Sequence, residues 1–212
     1  MTKQDMRSIV RVGYETGDYA AYYRKEASID PWAEPFMQSF AAALPAGGRV
    51  LDWGAGTGVP YDRWLVQLGF SVTGVDIAEK HVALARLNVP AGKFILGDFS
   101  RLDFGQDAYH GLLSLYAIFH LPRSEHAGLL QQAYRLLKPE GMLLVTVGVR
   151  SSGEMDTEDG WCGGAQMAWS HYDAETNLCM LRECGFTLLH VADESQAGSA
   201  EQHLWVLARK PQ

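Results

Sequence analysis

The run Val50-Leu51-Asp52-Trp53-Gly54-Ala55-Gly56-Thr57-Gly58-Val59-Pro60 constrains the fold more than any other stretch. An apolar segment closing on an acid and followed by glycines at alternate positions reads as a strand entering a tight turn and then a helix. Glycine permits positive φ and lets a ligand touch bare backbone, so the loop suits close contact with a small molecule. A dinucleotide fingerprint requires G-x-G-x-x-G, with its last glycine packing helix against strand beside a pyrophosphate. Here that last position is Val59, and the third glycine comes one residue early, at Gly58. Asp52 adds a carboxylate that would repel phosphate. An amine is the better guest.

The rest of the chain supplies the frame. From Arg49 strands alternate with helices: strands over 49–53, 70–75, 93–96, 111–115 and 142–147, with helices between them. Pro60 falls in the first turn of the first of these helices, and Gly69 stops it. Another helix opens at Pro122 and closes on Lys138-Pro139-Glu140-Gly141, and Met142–Val147 is apolar throughout, as a strand buried on both faces must be. Asp173 caps a helix ending at Cys184-Gly185, followed by strands 186–191 and 203–208 joined by a turn containing Gly198. Such alternation defines an α/β fold with a doubly wound, parallel sheet. In such a sheet the strands' carboxyl ends share one edge, where ligands bind. Asp52, Asp76 and Asp98 end the first three strands. Asp76 follows Asp52 by 24 residues, about the separation that sets an acid over a ribose.

The motif Asp52-Trp53-Gly54-Ala55-Gly56-Thr57-Gly58 resembles the first motif of class I S-adenosylmethionine-dependent methyltransferases, acid-x-G-x-G-x-G. The resemblance spans roughly Arg49 to Lys210. It implies a Rossmann-like seven-stranded sheet in the order 3-2-1-4-5-7-6, strand 7 antiparallel, with helices on both faces. It further implies S-adenosylmethionine as cofactor, with the methionyl ammonium near Asp52, the ribose at Asp76 and the adenine amine at Asp98. Gly54 and Gly56 carry over directly, and Trp53, Ile77, Phe99, Leu115 and Tyr116 fall beside these motifs as further cofactor-binding positions. His120 follows strand 4 where the family reaches toward the methyl group, so it is a candidate general base, with pocket packing as the alternative. The order Tyr14…Gly17-Asp18-Tyr19…Tyr22-Tyr23 resembles an N-terminal cap in which a tyrosine closes over the cofactor, which makes Tyr14 the second candidate catalytic residue.

One domain of four segments is expected: a helical cap over 1–45, with Pro31 opening its second segment, a cofactor-binding half over 46–149, a substrate-side insertion over 150–172, and a C-terminal helix with two strands over 173–212. The insertion is too long to lack a task and is rich in large side chains. Trp161, Met167, Trp169, His171 and Tyr172 are its candidate acceptor-binding residues. The net charge of −7, with no basic cluster, argues against a nucleic-acid partner. No apolar run reaches membrane-spanning length, no leader core is present, and Cys162, Cys179 and Cys184 lack metal-ligand spacing, so a cytoplasmic, metal-free protein is expected. The activity expected is methyl transfer to O, N or S of a small molecule. The rivals are a cofactor-binding module without transferase activity and a nicotinamide dehydrogenase, the latter opposed by Val59 and Asp52.

Overall fold

Strand β1 (Arg49–Trp53) occupies the middle of a seven-stranded sheet because its side chains are apolar toward both faces. Val50, Leu51 and Trp53 are each at most 1% exposed. The computed structural model describes residues 3–19, 21, 28–197 and 202–212. Its strands are β1, β2 (Ser71–Asp76), β3 (Lys93–Leu96), β4 (Tyr109–Ser114) and β5 (Leu137–Gly148), then β6 (Asp156–Glu158), β7 (Met167–Trp169), β8 (Thr187–Asp193) and β9 (His203–Arg209). The large sheet runs β3-β2-β1-β4-β5-β9-β8, while β6 and β7 form a separate hairpin. Pairing is parallel from β3 to β5, with Asp52 opposite both Gly74 and Leu113. β9 is antiparallel to β5 and to β8. The order expected from the sequence is therefore present, with β8 and β9 as the sixth and seventh strands of the main sheet.

Period-two alternation sorts the strand side chains to two cores. Leu51, Trp53, Leu112, Leu143, Val145 and Val206 face α5 (His126–Leu136) and α6 (Ala174–Glu183). Val50, Leu113, Leu144, Trp205 and Leu207 face α2 (Glu34–Ala42) and α3 (Tyr61–Gln67). Helix α4 (Glu79–Asn88) packs Val82 and Ala85 on Phe94 and Val89. A third, smaller core lies beyond the sheet edge. There Met6 and Val10 of α1 (Lys3–Thr16) meet Trp161, Met167 and Ala168 of the hairpin.

Several boundaries differ from expectation. Residues 31–33 form a turn, and α2 starts at Glu34 with Pro35 in its first turn, not at Pro31. Pro122 has extended ψ of 128°, so a 3-10 turn (Arg123–Glu125) intervenes before α5 begins. Lys138-Pro139-Glu140-Gly141 is not a helix end but the bulged lead-in of β5. Glu140 adopts φ of 64°, and backbone bonds from Glu140 N–H to Lys210 O and from Lys210 N–H to Gly141 O hold it to the end of β9. Asp173 caps α6 as expected, accepting from Thr176 N–H at 2.9 Å. The insertion carries its own hairpin, with Asp156 opposite Trp169. Tyr22, Tyr23 and Gly198 lie outside the described residues.

Candidate active site

The glycine loop folds back on the tip of β2. Gly54 and Ala55 both donate to Val75 O, at 2.8 and 3.0 Å. Gly54 sits at φ +83°, and a Cβ there would lie 2.3 Å from the Ala117 methyl, so both the dihedral and the space demand glycine. Asp76 clamps the loop to the next helix: Oδ2 accepts from Gly56 N–H at 2.8 Å and Oδ1 from Ala78 N–H at 2.9 Å. Gly58 closes the packing, since a Cβ there would stand 3.0 Å from Val89 and 3.2 Å from Phe94.

Outside the strand ends lies a cleft of about 870 Å³, its open mouth included. Asp52, Gly54, Gly56, Asp76, Ile77, Asp98, Phe99, Leu115 and Tyr116 line it, as do Tyr14 and His120. Trp53 does not line it. Alternation turns its indole away into the core, 1% exposed and stacked on Phe99 with centroids 5.2 Å apart, so it backs a wall residue.

The five residues expected to bind acceptor also fall outside the lining. Met167 is fully buried beneath α1. Trp161 stacks on Tyr19 at 5.8 Å and meets Tyr14 edge-on at 5.2 Å, one layer behind the surface. Trp169 lies 6.1 Å from the His120 ring. His171 packs at Gly148 and donates Nδ1–H to Arg150 O at 2.5 Å, and Tyr172 lies under Arg123 and against His126. A hairpin with three-residue strands has little core of its own, so its large side chains are spent on docking α1.

That docking builds the wall opposite the glycine loop. His120 Nδ1 lies 2.9 Å from Ala168 O, which can only accept, so the ring proton is on Nδ1. Nε2 then carries the lone pair and accepts from the Tyr14 hydroxyl at 2.8 Å. Burial holds the imidazole down to about 4, against which the Ala168 contact and Asp76 act only weakly, so His120 is neutral at ordinary pH. Tyr116, at φ +57°, is fixed from behind. Its N–H donates to Thr146 Oγ1 at 2.5 Å and its hydroxyl to the buried Glu194 at 2.8 Å.

Several lining residues carried no assignment from the sequence, among them Arg7, Asp62 and His81. Arg7 is 8% exposed and pins α1 across the strand ends, donating to Asp98 at 2.7 Å, Ser100 at 3.0 Å and both Glu125 oxygens at 3.2 and 2.6 Å. Asp98 thereby takes Arg7, the Arg101 Nε at 3.2 Å, and the amide and hydroxyl of Ser100. A ligand amine at Asp98 must replace one of these donors. Asp62 is 1% exposed and lies against Asp52; burial, then the Asp52 charge, raises its carboxyl well above the usual range. His81 is 2% exposed, its Nδ1 3.5 Å from Asp76. Sequence signals existed for two of them: Asp62 and His81 sit on the apolar stripes of α3 and α4, beside Leu65 and Ala85.

A family model described as a methyltransferase domain matches residues 50–141. An S-adenosyl-L-methionine-dependent Diels-Alderase of Talaromyces variabilis is 36% identical over 126 residues, 55% of this chain but 42% of that protein. The 27-O-demethylrifamycin SV methyltransferase of Amycolatopsis mediterranei is 28% identical over 190 residues, covering 81% of this chain and 66% of its own length. The chain thus spans less than two thirds of either relative. Among solved structures, the 1,6-didemethyltoxoflavin-N1-methyltransferase of Burkholderia thailandensis, crystallised with its substrate and S-adenosylhomocysteine, superposes with a TM-score of 0.73. It is 20% identical, over 100% of this chain and 92% of that one, and so shares the fold. Residues 50–141 thus match a methyltransferase domain, and the fold is shared with a solved methyltransferase.

Proposed function

We propose that this chain transfers a methyl group from S-adenosylmethionine to a small-molecule acceptor, as a cytoplasmic enzyme. The observation that carries the reading is the charge of the cleft. Four carboxyl side chains, Asp52, Asp62, Asp76 and Asp98, line it, against one Lys or Arg among the described lining residues, Arg7. Arg7 is already bound to Asp98 and Glu125. A phosphate-bearing cofactor is repelled by that wall, while a cationic one with hydroxyls and amines is matched by it. The residues present therefore fit S-adenosylmethionine. Asp76 would hold the ribose hydroxyls with the lone pairs left beside its two backbone donors. Asp98 would accept the adenine amine in place of Arg101, whose side chain is 67% exposed and easily displaced. Phe99, Ile77 and Leu115 supply apolar surface for the base.

When bound, the cofactor supplies a methyl group already activated on a sulfonium. The protein's part is to orient the acceptor, exclude water and take up its proton. Tyr14, whose hydroxyl hydrogen points to His120 Nε2, lines the cleft. It can accept an acceptor's O–H or N–H while its own proton shifts to Nε2. The resulting imidazolium is held by Ala168 O. The neutral acceptor site, with Tyr14, Tyr19 and Val10 on its wall, suits an aromatic or otherwise apolar small molecule.

Calorimetry with S-adenosylhomocysteine and NAD, followed by a methyl-release assay over candidate acceptors, tests this. Binding of S-adenosylhomocysteine alone supports it, and NAD binding alone overturns it. A second reading is kept because one relative is named as a Diels-Alderase that depends on the same compound. In it the cofactor stays intact while the cleft closes a ring in the acceptor. Product formation without S-adenosylhomocysteine release would select that reading.

A further inference from the structure

Glu194 lies outside the cleft lining, yet it gathers contacts from three residues, one of them on that lining. It opens the 3-10 turn Glu194–Ala197 that follows β8, and it is 1% exposed. Oε1 accepts from the His203 amide at 3.0 Å and faces His203 Nδ1 at 2.5 Å. Oε2 accepts from the Tyr116 hydroxyl at 2.8 Å and from the Trp205 indole N–H at 3.1 Å. A backbone amide and an indole can only donate, and here they address different oxygens. A glutamine would set its NH2 against one or the other whichever way it turned, so the place calls for two acceptor oxygens.

Closing the turn between β8 and β9 would need no more than the His203 contacts. The bond to Tyr116 goes further. Tyr116 is a cleft residue 78 positions away, and β5 stands between its strand and β9. Its φ of +57° is a left-handed backbone that a bulky residue keeps only where its surroundings hold it. Thr146 of β5 takes the backbone N–H, and Glu194 takes the hydroxyl at the far end of the ring. His203 grips the same segment a second time. It meets Tyr116 edge-on at 5.1 Å and stacks on Phe119, the residue before His120, at 4.8 Å. Leu115, Tyr116, Ala117, His120 and Leu121 of that segment all line the cleft. We propose that Glu194 is a positioning residue of the cofactor site, which from behind the lining holds Tyr116 and, through His203, the turn that carries His120. This rests on the cofactor assignment and adds to it a residue that the cleft itself does not contain.

Titration calorimetry with S-adenosylhomocysteine tests this on the wild type, Glu194→Ala, Tyr116→Phe and the double variant. Glu194→Ala should weaken binding roughly tenfold, the lower end for a hydrogen bond to a charged group. Tyr116→Phe keeps the ring and the carboxylate, loses the hydroxyl, and should weaken binding about threefold. The double variant should bind no more weakly than Glu194→Ala, because the hydroxyl has by then lost its anchor. Lys210→Met breaks the ion pair to Asp107 just past the other end of β9 and serves as the control for lost stability. It should lower the unfolding midpoint and leave S-adenosylhomocysteine affinity unchanged. Wild-type affinity in Glu194→Ala overturns the inference, as do losses that multiply in the double variant or a Lys210→Met protein weakened as much as Glu194→Ala. If Glu194→Ala does not fold, Tyr116→Phe decides, and wild-type affinity in that variant overturns the inference. Absence of any S-adenosylhomocysteine binding to the wild type overturns the cofactor assignment and the inference with it.

Discussion

The two walls of the cleft are built by different means. The glycine-loop wall is local: Gly54 N–H donates to Val75 O and Gly56 N–H to the Asp76 carboxylate, between adjoining strand ends. The opposite wall is assembled from afar. Tyr14 reaches His120 across 106 residues, His120 reaches Ala168 across 48, and Arg7 reaches Glu125 across 118. Fixed backbone suits recognition of one constant cofactor, whereas side chains on a helix and a hairpin can be exchanged to fit different acceptors. If this contrast is right, damage to the far wall should strike turnover, and damage to the near wall should strike binding.

The largest effect is expected at the far wall. His120→Ala should lower kcat by roughly 10²–10⁴-fold, the scale for a lost positioned base. Tyr14→Phe should show a smaller loss in the same direction, and both should leave S-adenosylhomocysteine affinity nearly unchanged. Because burial holds His120 at about 4, the wild-type kcat/KM profile should be flat from about pH 5 to 8 as far as this residue is concerned. A rise centred near 6.5 would mean the imidazole is not buried as described. The near wall comes next. Gly54→Ala forces a methyl against Ala117 at a dihedral of +83° and should weaken S-adenosylhomocysteine by about 100-fold, measured by calorimetry.

Stability effects are smaller. Arg7→Ala removes a counter-ion shared by Asp98 and Glu125 and should cost about 2 kcal/mol in denaturant unfolding. That is below the roughly 3–5 kcal/mol of a fully buried pair, since Glu125 is 26% exposed. The smallest concerns pH. His120 and His126 are both held to about 4, chiefly by burial, so the unfolded chain binds protons that the folded chain refuses between about 6.5 and 4. Stability is thus full above that window and should fall with pH inside it, by up to about 1.4 kcal/mol per unit for each histidine. Asp62 acts oppositely, with stability present at low pH and lost as pH rises toward its raised value. His126→Gln should remove its part of the acid loss without altering turnover.

The near wall was legible in the sequence because its logic is short-range. Glycine spacing and strand-end acids each follow from neighbours in the chain; they carried the family resemblance, which implied the sheet order, and nine of the ten expected cofactor positions line the cleft. Trp53 failed by the same rule that made it a strand residue, since alternation sends it inward. Asp62 was readable as an acid on an apolar helical stripe. Arg7 was not readable at all, because nothing in the first turns of a helix announces partners about a hundred residues away. The aromatic insertion misled for a physical reason: large apolar side chains serve a binding wall and a small docking core equally well, and here α1 required the core.

The most direct test is a crystal structure with S-adenosylhomocysteine bound. The ribose should meet Asp76, the ammonium should lie near Asp52, and the sulfur should face Tyr14, with the Tyr14–His120 hydrogen bond kept. A ligand seated elsewhere, or one in the cleft with Tyr14 and His120 turned away from the sulfur, would contradict the account.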